Sequence, residues 1–253
     1  MAMADREVLI GVIARAVRED ELFRAAFLGG ADASGRADAQ SDVDLMVIVG
    51  KGREEEAFEA VERALVGVAP IERFYRLPAP TWHGHAQAFW QVEGFGHAGL
   101  VDVVVLHPGE EGRWLVPERH GAARVLVDRD GLINAAPLDR EELERTIEKR
   151  VADLKARVPI LAPLALKEAQ RGRAMDALNF YHGLVPRPLV EMLRIVHCPE
   201  RWDYGMRYLD RDLPEEVWVR ELAFVGSCGE IERRYSEAMD FFEVALRRAE
   251  SDR

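Results

Sequence analysis

Two aspartates separated by one residue carry the strongest chemical signal in this chain. Asp42 and Asp44 open an otherwise apolar run that ends at Val49, and such a run is typical of a buried strand. Alternate residues of a strand point to the same face, so the two carboxylates project together while Val43 faces the core. Like charges repel, and a cation between them relieves that repulsion. Because Mg²⁺ prefers oxygen ligands, the spacing predicts a magnesium site on Asp42 and Asp44.

A third aspartate lies in a second apolar run further along the chain. Asp102 is the single charged residue between Leu100 and Leu106, a segment rich in valine. An unpaired charge buried in such a strand is costly, so the carboxylate needs a partner. Two partners stay open at this point: a structural salt bridge, or a metal shared with Asp42 and Asp44.

Two adjacent glycines precede the acid pair. Gly29 and Gly30 close the short, largely apolar run Phe23–Leu28, which is typical of a strand. Glycine lets the backbone come close to a phosphate and leaves its N–H groups available as donors. The chain therefore offers a turn suited to phosphates shortly before the acids suited to a metal.

In combination, these residues resemble the signature of the nucleotidyltransferase superfamily, typified by DNA polymerase β and the aminoglycoside nucleotidyltransferases. That signature is a strand ending in Gly-Gly or Gly-Ser, a variable loop, Asp-x-Asp on the next strand and a third acid on a later strand. The resemblance covers residues 20–110, and the loop 35–45 looks much like that of the bacterial small-molecule members. It is carried by Gly29, Gly30, Asp42, Asp44 and Asp102.

The resemblance implies a role for each of the motif residues. Asp42 and Asp44 would bind Mg²⁺, while Asp102 would bind metal or act as the general base for the attacking hydroxyl. Gly29 and Gly30 would contact the phosphates of the nucleotide.

The chain departs from the family pattern at the glycine turn. Family members often place a serine after the glycine, where it donates to a phosphate oxygen, and that position is Gly30 or Ala31 in this chain. Ser34 is the nearest hydroxyl and is assigned to nucleotide binding in its place. Arg36 is assigned as the shifted equivalent of a basic residue that family loops carry near the glycine.

The resemblance also implies the reaction. A nucleoside monophosphate, AMP from ATP, would be transferred to a hydroxyl of a small molecule, and pyrophosphate would be released. The size and two-part layout look most like the aminoglycoside or streptomycin adenylyltransferases, and the net charge of −11 is compatible with a cationic acceptor.

Two other functions stay open. One is a protein AMP-transferase of the antitoxin type, although members of that type are much shorter and lack a helical half. The other is a nucleotide-binding module that has lost turnover, for which the missing serine is the support.

Hydrophobic patterning places these motifs in the first half of the chain. The spacing predicts helices over 5–18 and 54–66 and a hairpin whose strands flank the glycines at 94, 96 and 99. The predicted strands are 23–28, 42–49, 71–77, 85–92, 100–106 and 124–128. Residues 1–137 are thus expected to form a mixed-sheet nucleotidyltransferase domain.

The second half of the chain has a helical pattern throughout. Helices are predicted over 139–158, 160–181, 188–197, 215–225 and 230–248, with breaks at Pro159, Pro186, Pro199, Pro214 and 226–229. Residues 138–253 are expected to form a helical bundle that binds substrate, with the acids facing a cleft between the two parts. The predicted fold class is therefore α+β.

Histidines and basic residues outside the motif are weaker candidates. His83, His85 and His97 lie near the proposed site and are expected to pack or to lie at the surface. Lys167, Arg171 and Arg173 are expected on one helix, where they would form a solvated face or supply cations for a triphosphate.

One aromatic segment of the helical half is a further weak candidate. The segment 201–209 mixes aromatic residues with arginines. Substrate contact and core packing of Trp202 and Tyr208 are both open for it.

Composition narrows the partners and the compartment. The acidic net charge disfavours nucleic acid as a partner. Cys198 and Cys228 form no metal-binding motif and are expected to be buried free thiols. The start of the chain lacks the pattern of a signal peptide and no stretch is long and apolar enough for a membrane span, so a cytoplasmic protein is expected.

Overall fold

The computed structural model describes residues 5–217 and 228–251. Contacts within the chain divide it into two compact units, Met1–Leu138 and Asp139–Arg253. The first unit combines a sheet with helices, whereas the described part of the second is helical. The α+β class predicted from sequence is confirmed, and the sequence placed the division at residue 137.

A mixed sheet of six strands forms the centre of the first unit, in the order β3-β4-β5-β2-β1-β6. Strands β2 and β5 are parallel, and the other neighbouring pairs are antiparallel. The predicted hairpin is present, because β4 and β5 pair antiparallel across the glycine-containing turn. The strands are β1 (Ala25–Leu28), β2 (Val43–Ile48), β3 (Ile71–Arg76), β4 (Ala86–Val92), β5 (Leu100–Leu106) and β6 (Arg124–Asp128).

The helices of the first unit are amphipathic or short. Helix α1 begins after Asp5, whose side chain accepts the N–H of Glu7, a standard N-cap arrangement. A one-turn helix, α2, follows β1 directly and was not predicted, because its small residues show no apolar period. The four helices of the described first unit are α1 (Arg6–Glu19), α2 (Gly30–Ala33), α3 (Glu54–Val66) and α4 (Pro117–His120).

The two faces of the sheet are covered differently. Helices α1 and α3 pack on the first face, where Val43, Val101 and Trp90 belong to the main core. On the second face a smaller cluster that includes Met46 and Val104 covers part of the strands. Residues of β2 and β5 that lie on the second face outside this cluster are only half buried.

The second unit consists of helices packed around their own apolar core. That core includes Leu154, Tyr181 and Phe242. The helices of its described residues are α5 (Arg140–Leu161), α6 (Pro163–Gln170), α7 (Ala174–Leu184), α8 (Pro186–His197), α9 (Leu209–Asp212) and α10 (Cys228–Ser251).

The helix boundaries of this unit differ from the predicted ones in three places. Helix α5 continues through Pro159, which is exposed, so water can satisfy the carbonyl that loses its donor. The predicted helix 160–181 is two helices, because Gly172 takes a φ of +72° between them. The predicted break at Pro186 is present, since α7 ends at Leu184, but α8 begins at Pro186 and not at Pro188, because proline suits the first helical turn.

Only the start of the predicted 215–225 helix lies within the described residues. Residues Glu215–Val217 form a 3-10 turn. The remainder of that predicted helix lies outside the described residues.

A buried arginine organises the segment between α8 and α9. Arg194 is fully buried and pairs with Asp212 at 2.7 Å. Its guanidinium also donates to the carbonyls of Gly205 and Arg207, so the backbone of 201–209 wraps around it. Trp202 packs against the core, whereas Tyr208 is 43% exposed. Of the two residues considered for core packing, only Trp202 therefore packs there.

Among the described residues, no helix combines the length and the apolar character that a membrane crossing requires.

Candidate functional site

The parallel pairing of β2 with β5 brings two of the predicted acids together. Asp44 is the register partner of Asp102, so their side chains are neighbours on the second face of the sheet. Both are half buried, while Val43 points to the main core as predicted. Asp42 directly precedes β2 and is close enough to act electrostatically on both of the other carboxyls. The three acids therefore form one cluster, called the acid cluster below.

The acid cluster is electrostatically strained. Burial raises the pKa of Asp44 to about 7, and the neighbouring Asp42, Asp102 and Asp32 add to this shift, while Arg6 opposes it. Burial also raises the pKa of Asp102, although a hydrogen bond from Gln87 works in the other direction. Without a cation, the cluster is therefore short of compensating positive charge.

Gly29 and Gly30 lie directly against Asp44. The N–H of Gly29 donates to the carbonyl of Asp44 at 2.9 Å, which extends the pairing of β1 with β2. Gly30 has a φ of +49°, and a Cβ there would lie 1.7 Å from Oδ2 of Asp44. The glycine thus leaves room for the carboxylate of Asp44, whereas the sequence had suggested a close approach to a phosphate.

The turn itself leaves a restricted set of phosphate donors. The Gly29 N–H is used by the sheet, and those of Ala33 and Ser34 close the helical turn of α2. Donors for a phosphate would be the N–H groups of Gly30 and Ala31, because the first residues of a helix lack intrahelical partners.

The two other predicted nucleotide contacts lie beyond this turn. Ser34 is the C-cap of α2, and its exposed hydroxyl donates to the carbonyl of Ala31 at 3.2 Å. Arg36 is half buried, and its backbone N–H also donates to Ala31. Both residues therefore lie after α2, on the opposite side of that turn from Gly29.

A buried arginine that sequence reasoning missed holds the acid loop in place. Arg6 of α1 is 6% exposed and donates to the carboxylate of Asp32 at 2.6 Å. It also donates to the carbonyls of Ser41 at 3.1 Å and Asp42 at 2.8 Å. The signal was present in the sequence, since Arg6 occupies the same helical stripe as Leu9 and Ile13. An arginine in an apolar stripe needs acceptors, and this one finds them in the segment that carries the acids.

Gln87 is the second residue that the sequence did not single out. Its Nε2 donates to Oδ1 and Oδ2 of Asp102 at 2.7 and 2.9 Å. Its Oε1 lies 2.9 Å from Nε2 of His83, so the imidazole can fix the orientation of the amide. The hydrogen-bond partner of Asp102 is thus the amide of Gln87. The sequence had left two possibilities for this partner, a structural salt bridge or a metal.

Of the other histidine candidates, His85 adjoins this chain of contacts, since its backbone N–H donates to Nδ1 of His83 at 3.2 Å and the two rings stack. His85 is buried, with Nδ1 at 3.3 Å from Glu110, and burial lowers its pKa. His97 is exposed in the turn between β4 and β5. Both agree with the expectation of packed or surface residues.

The basic cluster predicted in the second unit was wrong in its arrangement. Arg171 and Arg173 lie in the turn between α6 and α7 and both pair with Glu168, at 2.9 and 3.0 Å. Lys167 is exposed on α6. The two arginines stabilise a turn, so they do not form a free basic face along one helix.

The carboxylate oxygens of the acid cluster suit Mg²⁺, but the described side chains are not arranged as a complete set of metal ligands. Carboxylate oxygens are the ligands that Mg²⁺ takes, in sites that usually combine one or two carboxylates with substrate phosphates. Over residues 5–217 and 228–251, no group of three or more His, Cys, Asp or Glu side chains is arranged to hold a metal. Asp42 and Asp44 remain the predicted ligand pair, while Asp102 accepts hydrogen bonds from Gln87.

Comparison of the chain with models of known protein families and with curated proteins found no match. Function is therefore inferred from the side chains and their geometry.

Proposed function

We propose that the chain is a magnesium-dependent nucleotidyltransferase that transfers AMP from ATP to a hydroxyl of a small molecule. The observation that carries this is the register of β2 with β5, which sets Asp44 against Asp102 while Asp42 adds a third charge. Three carboxyls in one half-buried cluster are costly unless a cation joins them. A magnesium nucleotide supplies that cation together with the phosphates that complete its coordination.

Each residue of the cluster has a distinct role in this proposal. Asp42 and Asp44 would hold Mg²⁺, which neutralises charge on the triphosphate when bound. Asp102 would take the proton of the acceptor hydroxyl, and its raised pKa makes it a stronger base than an ordinary aspartate. Gln87 would hold the Asp102 carboxylate in position for that transfer.

The reaction is a substitution at the α-phosphorus. The acceptor oxygen forms a new bond to that phosphorus, and the bond from the phosphorus to the oxygen bridging the β-phosphate breaks. Pyrophosphate leaves with the electron pair of that bond. The hydroxyl proton passes to the carboxylate of Asp102, so charge and atoms balance.

The proposed nucleotide contacts follow the glycine turn. The N–H groups of Gly30 and Ala31 would donate to the triphosphate, with Ser34 and Arg36 as the further contacts suggested by the sequence. The acceptor would be a cationic hydroxylated compound, for which aminoglycosides are the first class to try, because the chain carries a net charge of −11.

Label transfer tests this proposal directly. The protein is incubated with Mg²⁺, ATP labelled at the α-phosphate and a panel of aminoglycosides, alongside Asp42→Asn. Glu93→Gln is the matched control, since it removes an exposed carboxylate at the hairpin turn. We expect label on a small molecule with the wild type and with Glu93→Gln, and a loss of about a hundredfold or more with Asp42→Asn.

The other outcomes separate the alternatives. Label on a protein partner would support an AMP-transferase that modifies proteins. Magnesium-dependent ATP binding without any label transfer would support a nucleotide-binding module, a function that the missing serine favours. ATP binding that ignores both Mg²⁺ and Asp42→Asn would contradict the proposed site.

A further inference from the structure

Four residues on neighbouring strands form a continuous row across the second face of the sheet. Asp44 is opposite Asp102, Asp102 is opposite Phe89, and Phe89 is opposite Tyr75. Directly opposed residues share a face and place their Cβ atoms about 4.5–5.5 Å apart. The acid cluster therefore continues without a break into two aromatic rings.

The two rings are arranged as an open surface. Tyr75 and Phe89 stack with ring centroids 6.2 Å apart and an interplanar angle of 21°. Tyr75 is 56% exposed and lies on the edge strand β3, while Phe89 is half buried between Tyr75 and Asp102. The adjacent Phe74 serves the other face, where its ring lies 5.2 Å from that of the buried Trp90.

The strand order separates this surface from the glycine turn. Gly29 and Gly30 follow β1, which borders β2 on the side away from β5. Tyr75 and Phe89 lie on β3 and β4, beyond β5 on the other side. Phosphates at the glycine turn and a ring on the aromatic pair would therefore approach the acid cluster from opposite sides.

We propose that Tyr75 and Phe89 form the acceptor subsite and stack against a hydroxylated ring that carries ammonium groups. This inference rests on the proposed function, because a hydroxyl on such a ring would lie beside Asp102, the proposed base. Aromatic faces attract cations, and the acid cluster next to Phe89 attracts them further. The phosphates of a nucleotide are placed at the glycine turn, on the other side of the acid cluster, so the nucleotide is the poorer occupant of this side.

The test uses the full-length protein and measures binding separately from transfer. Kanamycin and streptomycin are titrated calorimetrically without ATP, and Mg²⁺·ATP is titrated without either compound. The variants are Tyr75→Ala, Tyr75→Phe and Phe74→Ala. Phe74→Ala is the matched control, since it removes a ring of similar exposure, 52%, from the same strand but the opposite face.

We expect Tyr75→Ala to weaken binding of at least one of the two compounds about tenfold, the size of one lost stacking contact. Tyr75→Phe keeps the ring and should bind nearly as the wild type does, as should Phe74→Ala. Affinity for Mg²⁺·ATP should be the same in all four proteins. Because Tyr75 is half exposed, its replacement should leave the melting temperature nearly unchanged.

Other results would overturn the inference in distinguishable ways. Weaker ATP binding in Tyr75→Ala, with kanamycin and streptomycin unaffected, would assign the pair to the nucleobase. No binding of either compound to the wild type would exclude the cationic ring class. Binding that depends on Tyr75 without any label transfer would refute the transferase and leave the ring-binding surface standing.

Discussion

Asp44 is ionisable in a place where burial and neighbouring carboxyls oppose its charge. Its pKa is raised to about 7 in the folded chain, whereas an unfolded aspartate titrates near its ordinary 3.8. Between these values the folded state holds a proton that the unfolded state has lost. Stability contributed by this group is therefore lost as the pH rises through that window, and the loss is complete above about pH 7.

The sign of this effect gives a test of the cluster that needs no substrate. In the presence of EDTA, Asp44→Asn should raise the free energy of unfolding by about 2 kcal/mol near pH 8, after allowance for partial exposure. Near pH 4, close to the unfolded pKa, the same variant should differ little from the wild type. Urea denaturation at both pH values measures the difference, with Glu93→Gln as the control. A loss of stability at both pH values would mean that Asp44 is already paired.

The second prediction for single residues concerns Gly30. Gly30→Ala adds a methyl group that collides with the carboxylate of Asp44, at a φ of +49°. Gly35→Ala is the matched control, because Gly35 has a φ of +66° but a Cβ there would meet no described atom within 4 Å. Both variants carry a backbone cost of about 1 kcal/mol. Thermal melting should show a further loss for Gly30→Ala alone, along with weaker Mg²⁺·ATP binding.

Equal effects of the two alanines would mean that only backbone strain matters at Gly30.

The spacing of the three acids and of the glycines was visible in the sequence because strand alternation and turn chemistry are local. The hydrogen bonds from Gln87 to Asp102 and the pairing of Phe89 with Asp102 were not visible, since they depend on which strands become neighbours.

At the scale of elements, helix α1 fixes the loop that precedes β2. Its Arg6 is buried with the carboxylate of Asp32, whose side chain is 4% exposed. Arg6→Met should destabilise the chain by about 3–5 kcal/mol, because it leaves that carboxylate buried with less compensation. Arg15→Met is the control, as Arg15 is exposed on the same helix. Chemical denaturation measures the cost.

A double variant distinguishes the lost packing of the Arg6 side chain from the cost of leaving the Asp32 carboxylate buried without its partner. Arg6→Met combined with Asp32→Asn should recover part of the stability, because the buried negative charge is gone. Mg²⁺·ATP binding should stay weakened in the double variant, since the carbonyls of Ser41 and Asp42 have still lost their donor. No recovery would indicate that packing of the Arg6 side chain dominates.

Element boundaries were predictable where one local pattern dominates. The strands Leu100–Leu106 and Arg124–Asp128 and the helix Glu54–Val66 lie where their apolar patterns placed them. The one-turn helix α2 was missed because Gly30–Ala33 has no apolar period, and α5 ran past Pro159 because a solvated carbonyl tolerates proline. Strand order and the parallel β2–β5 pair are long-range properties that a single sequence does not encode in any local signal.

At the scale of the whole molecule, the net charge is compatible with the proposed function. A net charge of −11 repels polyanions and attracts cations, while a nucleotide enters with Mg²⁺ that offsets its own charge. The acid cluster concentrates this field on one face of the sheet, beside the stacked rings of Tyr75 and Phe89. A cationic acceptor and a magnesium nucleotide are thus compatible with the same acidic chain.

The most direct test of the proposed magnesium site is a calorimetric titration of ATP, with and without Mg²⁺. The proteins compared are the wild type, Asp42→Asn, Asp44→Asn and Glu93→Gln. We predict that the wild type and Glu93→Gln bind ATP only when Mg²⁺ is present, and that each aspartate variant loses about tenfold or more in affinity. Equal affinity in all four proteins, or ATP binding that is indifferent to Mg²⁺, would contradict a magnesium nucleotide site on the acid cluster.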